Sequence, residues 1–385
     1  MVEMIGNFNK ILSLCFLVIL VCGCQKDSIE DGEFIATMGV PGGDTKSYIS
    51  NMHNCWEATD KVWVNGAPAE EFQLDADLGM AHFKPAARAE SYKMFTYGGE
   101  PFTWSGSTVT FSLAENYTGQ DMPMYAITDD FGPVEFKNIF SVIHFKNIPK
   151  NGNNKIQLEA YSTITTSWGT TSGETPYNRI SGDFSVDFSG ETPTMSGGTS
   201  NTRTITVPEG KTEVWMVIPA VASNVYFFIT ITNRGDSYEK YNRTTFPANY
   251  LRTVDYNNIT DCVLVDNRSQ LNEQLNNVAN KYIRLTGDID FREYGGYNHK
   301  LWGSLTTLKI EGDGHSLIID RPIYDKLGVQ AKVYNLTLKG TFTSSYNGAF
   351  ANGYWSLAEI FRGTISGDNY SSEVLYNGNP VPFAP

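Results

Sequence analysis

The sequence predicts an all-β protein: two sandwich domains followed by a short C-terminal stack of strands. Three observations carry this. Aromatic residues reach 13% while charged residues are only 18%, below the roughly 25% of an average soluble domain. Short apolar runs recur between Gly, Pro, Asn and Asp over residues 34–262, and several alternate apolar with polar at period two, the pattern of a strand with one buried face. Beyond residue 263, an apolar-x-Gly unit returns at near-constant spacing. The chain has 385 residues with 29 Lys+Arg against 42 Asp+Glu, a formal charge of −13. That balance excludes nucleic acid as a partner, because phosphate binding needs clustered cations. A 41% hydrophobic fraction is enough to build packed cores.

The first 23 residues read as an export signal. Lys10 precedes an apolar run from Ile11 to Val21. Eleven helical residues span about 16 Å, too short for a hydrocarbon core of about 30 Å, so the run is a secretory h-region and not a membrane span. It ends in Val21-Cys22-Gly23-Cys24, which resembles a bacterial lipobox. The resemblance implies cleavage before Cys24, acylation of its thiol and anchoring to the outer membrane. Residues 24–33 then read as an acidic tether, similar to the stretch that marks surface lipoproteins of the Bacteroidetes. Of the five cysteines, Cys55 and Cys262 remain after the signal and the lipid site are set aside. They pair as a disulfide or stand as thiols; spacing does not decide.

Strand-sized runs follow in order: Lys61 to Val64, Thr108 to Phe111, Ser141 to Phe145, Lys155 to Leu158, Thr204 to Val207, Val214 to Ile218 and Val225 to Ile231. Turn signals such as Asn65-Gly66, Tyr97-Gly98-Gly99 and Asn151-Gly152 separate them every ten or so residues, the spacing of sandwiches and not of βαβ units. The stretch from Asn147 to Gly152 marks the expected boundary, giving domains at 34–148 and 149–262.

Here the sequence resembles the Bacteroidales fimbrillins. The likeness is carried by Asp44-Thr45-Lys46, by Trp56 with Asp60 to Val64, and by Met122 to Ala126. It continues through Phe136 to Phe145 with His144, Val217-Ile218-Pro219-Ala220, and Phe246 to Leu251. It covers about residues 34–262. It implies two Greek-key-type β-sandwiches in a lipid-anchored fimbrial subunit without enzymatic activity. In stalk subunits of that family a protease removes the N-terminal segment after a basic residue, usually Arg, and a neighbour's strand fills the opened groove. Strand addition works through main-chain hydrogen bonds and alternate side-chain pockets. This chain departs from the pattern: no arginine lies between Cys24 and Arg88, and Lys46 is the basic residue nearest the expected place. The departure favours an anchor, tip or accessory subunit, with Lys46 as candidate cleavage site. The expected partners are other fimbrial subunits, and a host protein or glycan.

In the last third, residues 263–385, Leu271, Leu275 and Val278 form one apolar stripe on a predicted helix over Ser269 to Ala279. Gly287, Gly312, Gly340 and Gly367 each close an apolar-x-Gly unit, at spacings of 25, 28 and 27. Such a period signals a solenoid, and the units resemble the rungs of right-handed parallel β-helix proteins such as pectate lyases and surface adhesins. The glycines are read as rung turns. A glycan-binding or glycan-processing role for this part is the alternative function. It would use loop aromatics, with Tyr346, Tyr354 and Trp355 as binding candidates, or a carboxylate pair from Asp288, Asp290, Asp313 and Asp320 at the separation glycoside hydrolysis needs. Turn chemistry and solvated faces are the favoured account of these aspartates. The five histidines show no metal spacing, and no cofactor motif is present. Arg234-Gly235-Asp236 is an integrin-type tripeptide that also reads as a hairpin turn.

Overall fold

The computed structural model describes residues 32–38, 56, 61–75, 80–97, 102–117, 123–150, 154–167, 170–248, 250–276, 281–292, 307–319, 329–342, 363–376 and 379–380. Cys24, Lys46, Cys55, Asp320, Tyr346, Tyr354 and Trp355 lie outside them.

The N-terminal half is dominated by one eight-stranded sheet. Its order is Ala67–Pro68, Val62–Val64, Tyr92–Thr96, Met124–Thr128, Gly132–Asn138, Phe34–Met38, Met80–Lys84 and Glu70–Asp75. The sheet buries a core of its own: Phe34, Ala36, Val62, Val64, Phe83, Tyr92, Met94, Met124 and Phe136 close around Trp56. The strand Tyr92–Thr96 is covered on both faces. Tyr92 and Met94 enter that core, while Phe95 enters a second one with Val109, Phe111, Phe184, Val186 and Phe188.

The two halves share strands. Thr108–Leu113 pairs antiparallel with Gly182–Asp187 over six residues, and Asn116–Tyr117 pairs parallel with Thr204 and Ile205. A three-stranded sheet of Val214–Ile218, Ser141–Lys146 and Leu251–Asp255 lies between two cores. Val142 and Val217 face the Phe111 side; Ile143, Phe145, Met216 and Ile218 face the six-stranded sheet beyond. This explains why Val142-Ile143 and Met216-Val217-Ile218 are consecutive apolar residues and do not alternate: both faces are dry. The six-stranded sheet runs Asp236–Phe246, Val221–Asn233, Lys155–Ser167, Thr202–Thr206 and Asn116–Tyr117, with Thr170–Pro176 paired to Lys155–Ser167. The all-β expectation and the sandwich packing hold. One short helix, Tyr256–Thr260, was not expected from periodicity. It is a single turn started by the Asp255 carboxylate accepting from the Asn257 amide and stopped by Asp261 at φ 51°, a capped turn too short to show a period.

In the C-terminal third the chain alternates between two sheets. Val263–Val265, Lys281–Leu285, Thr307–Glu311, Val329–Tyr334 and Gly363–Asp368 form one; Ile289–Asp290, Ser316–Ile318, Thr337–Phe342 and Ser371–Tyr376 form the other. Successive strands pair in parallel in each, with Ile283 on Ile310, Ile310 on Val333, and Leu317 on Leu338; Asn379–Pro380 closes the second sheet antiparallel. The helix Arg268–Asn276 drives Leu271 and Leu275 into the shared core; Val278 lies outside the described residues. One expectation is corrected. Gly340 and Gly367 sit inside strands and not at turns, at φ 153° and 152°, where a Cβ would lie 1.7 Å from the Ile319 and Val333 carbonyl oxygens of the strand before. They are glycines because stacked strands approach there too closely for any side chain. The corners are made instead by Asp313, Asn335 and Asn369, all at positive φ.

Candidate strand-exchange site and interdomain clasp

The strand Phe34–Met38 is the element on which strand exchange would act. It lies in the interior of the eight-stranded sheet, parallel to Gly132–Asn138 over five residues and antiparallel to Met80–Lys84 over four. It is the only parallel contact in that sheet among the described residues. Parallel strands need a long crossover, and here almost the whole first sandwich is that crossover. The strand is therefore joined to its neighbours by pairing and packing, not by a tight turn. Phe34 and Ala36 are fully buried. The Phe34 ring meets Tyr92 and Phe131 at 5.0 Å and Phe83 at 5.6 Å. Trp56 Nε1 donates to the Ala36 carbonyl at 3.0 Å, and its ring meets Phe136 edge-on at 5.1 Å. The Gly132 amide donates to the Glu33 carbonyl at 3.0 Å. The slot thus reads an extended backbone on two sides and takes a large apolar side chain, then a small one two residues later.

A second constellation joins the second sandwich to the C-terminal third. The hairpin Asn233 to Asp236 turns through Arg234 and Gly235 at positive φ, as Arg234-Gly235-Asp236 predicts. Both its charges are engaged. Arg234 Nη1 donates to Glu311 at 2.5 Å, with the two side chains 5% and 0% exposed, and its Nε meets Asp368 at 2.9 Å. Asp236 accepts from Lys332 at 2.6 Å and Lys309 at 3.3 Å. Lys309 is caged by the rings of Tyr282, Tyr238 and Tyr334 at 4.4, 5.0 and 5.3 Å. Arg284 donates to Asp313 at 2.8 Å and to the Asn147 carbonyl. Burial pushes the Tyr282 and Tyr238 phenols above their ordinary value and holds Lys309 below its own. Desolvated pairs of this kind act as a clasp: losing one partner strands a buried charge. Arg234 and Asp236 are held within the chain and not presented outward as a free integrin-type loop.

The other candidates separate. Asp288 is held low by the Ser316 amide bonded to it, with His315 beside it. Asp290 is lowered to about 2, chiefly by its bond from Arg292. A glycosidic general acid needs a raised carboxyl; both of these are lowered, which suits capping and pairing. Asp313 is engaged by Arg284. His144 stacks on Trp215 at 4.7 Å and meets Glu213 at 3.0 Å, and no metal-holding group of three occurs among the described residues. Burial pushes the Cys262 thiol up to about 12. Sequence reasoning missed Arg284, Lys309 and Glu311, since a charge inside a β-run reads as a solvent-facing position.

Its structural neighbours are candidate adhesion proteins and a pilin. A candidate cell adhesion protein of Bacteroides uniformis aligns at 15% identity and TM-score 0.37, covering 58% of this chain and 92% of its own. One from Bacteroides ovatus aligns at 12% and 0.34, covering 59% and 92%. The major pilin of Streptococcus pyogenes aligns at 6% and 0.16, covering 58% and 96%. No family model and no curated protein matches the chain. TM-scores this low carry no argument, so the architecture rests on the strand pairing above.

Proposed function

We propose that the protein is a lipid-anchored surface subunit of a fimbria, an anchor, tip or accessory piece working in adhesion by contact and not by chemistry. The observation that carries this reading is the strand Phe34–Met38. It fills an interior slot between Gly132–Asn138 and Met80–Lys84, so its removal would open a groove flanked by two unpaired strand edges. A strand from another subunit with the same large-then-small spacing would refill the groove through the same main-chain bonds. Cys24, acylated, would tether the mature chain to the outer membrane. Residues 263–385 would form a short β-helix carrying contacts to a host protein or a glycan.

Cleavage by a Lys-specific protease at Lys46, followed by electrophoresis without boiling, tests the exchange. SDS-resistant ladders support it, and cleaved protein that stays monomeric restricts the chain to an anchor or tip. Palmitate labelling of wild type and Cys24→Ala tests the tether: equal labelling of both removes it. Immunogold label confined to bare membrane, never on filaments, would count against the fimbrial reading.

A further inference from the structure

Among the described residues the second sandwich is open along one side. Its six-stranded sheet ends at Asp236–Phe246, and the facing three-stranded sheet ends at Leu251–Asp255. These end strands are consecutive in the chain, yet they do not pair with each other. Between them lies a trough of about 630 Å³, within the range of pockets that bury a ligand. Ile143, Leu158, Phe227 and Phe246 line it, all members of the sandwich core. Asn257, Asn258 and Ile259 of the helix Tyr256–Thr260 close one end. Two cations reach across: Arg252 Nη1 donates to Thr244 Oγ1 at 3.1 Å, and Lys240 Nζ to the Asn258 carbonyl at 2.6 Å.

We propose that this trough is a second strand-acceptor site, taking an extended segment of a partner subunit whose apolar side chains alternate with polar ones and which carries a carboxylate. The argument for an extended peptide starts at the edge. Among the described residues Leu251–Asp255 pairs on one side only, with Ser141–Lys146, and the amide of Val142 donates to the Tyr250 carbonyl on that side. No described strand pairs along its other side, and Arg252 to Asp255 line the trough. An aliphatic ligand would cover the floor and leave that edge dry and unpaired, which is costly; a strand satisfies both at once. Five residues span roughly 17 Å, room for a guest of five or six.

Charge complementarity supplies the second argument. Arg252 and Lys240 are bonded across the trough to neutral oxygens, and the Asp261 carboxylate is 3.9 Å from Lys240, both well exposed. Such an exposed pair is weak, so a carboxylate on the guest would compete for the two cations. A second copy of this chain is the poorer occupant. The strand Phe34–Met38 is already paired in its own first sandwich, where Phe34 and Ala36 are fully buried, and giving it up would open that core.

The site does not depend on exchange at Phe34–Met38, so the test uses the uncleaved chain, whose first slot is filled. A fluorescent peptide, Glu-Val-Thr-Val-Thr-Val-Glu, is titrated by anisotropy against wild type, Arg252→Glu and Lys240→Glu, the folding of each checked by circular dichroism. An analogue N-methylated on alternate residues is run beside it. The expected result is saturable binding, about tenfold weaker for each charge reversal and lost for the methylated analogue. Absence of binding overturns the proposal. So do equal binding of the methylated analogue, displacement by laurate but not by unlabelled peptide, and a dimer in sedimentation that excludes the peptide. The first two deny strand addition, the third assigns the trough to an acyl chain, and the fourth to a second copy.

Discussion

Arg234 and Asp236 sit two residues apart on a hairpin and reach into different partners on the C-terminal third, Glu311 with Asp368 and Lys309 with Lys332. Glu311 is the most demanding member, because its carboxylate is fully buried and also accepts from the Asn335 amide at 2.9 Å. Replacing it by alanine leaves the Arg234 guanidinium desolvated beside a smaller side chain. The expected cost is about 3–5 kcal/mol, read as a lower midpoint in urea with little change in slope. Asp236 adds a pH dependence. Burial works to raise its carboxyl, but the bond from Lys332 and the charges of Lys309 and Lys332 prevail and hold it below its ordinary value of 3.8. A carboxyl lowered on folding adds stability that is present above the ordinary value and lost as pH falls through the folded one. Wild type should therefore exceed Asp236→Asn in unfolding free energy near neutrality, and the gap should close on acidification below 3.8. A gap that stays constant to lower pH would show that the Asp236 charge contributes nothing.

At the scale of the element, Phe34–Met38 shows what the sequence makes legible and what it hides. The run Phe34 to Met38 is apolar except for Thr37, which marks a strand without saying which face is buried; the structure fully buries Phe34 and Ala36. Nothing in the local pattern reveals that the strand lies between Gly132–Asn138 and Met80–Lys84, because a partner nearly a hundred residues away leaves no trace in a short window. The same limit explains Gly340 and Gly367: a repeat period finds them, but only the stacked neighbour shows that they relieve contact and do not turn the chain. The element's role is checked by removal. A chain beginning at residue 41 should lose several kcal/mol, since it exposes the Phe34 pocket and a cavity of that size costs about 3–5 kcal/mol. A synthetic peptide of residues 32–40 added to it should restore the melting temperature in a concentration-dependent way, and the same peptide with Phe34→Asp should not. Equal rescue by both peptides would mean that the slot does not read the side chain.

For the whole molecule the decisive contacts are those between the second sandwich and the C-terminal third. The repeat period and the two runs of sandwich strands are legible because each rests on local alternation and turn chemistry. The clasp is not, because Arg284, Lys309 and Glu311 stand in strands where a charge ordinarily faces water, and only the approach of Asn147, Tyr238 and Arg234 makes those faces interior. A surface subunit of the proposed kind gains from such a joint: interfaces between domains of one chain are often polar and mobile, whereas this one is bonded through eight charged residues, with the Arg234, Glu311, Lys309 and Arg284 side chains buried, around three tyrosine rings. The consequence is cooperative unfolding. By scanning calorimetry the second sandwich and residues 263–385 should melt in a single transition in the wild type. In the Arg234→Ala, Arg284→Ala double variant the joint loses the bonds of Arg234 to Glu311 and Asp368 and of Arg284 to the Asn147 carbonyl, and the transition should divide in two, the earlier one belonging to the C-terminal third, whose four or five stacked strands per sheet bury a smaller core. Limited proteolysis below the first midpoint assigns the halves, with cuts expected beyond residue 263 and the sandwich fragment surviving. If the double variant still melts in one step at an unchanged temperature, the clasp does not couple the two parts, and the C-terminal third is held by the strand Val263–Val265 and its connecting helix alone.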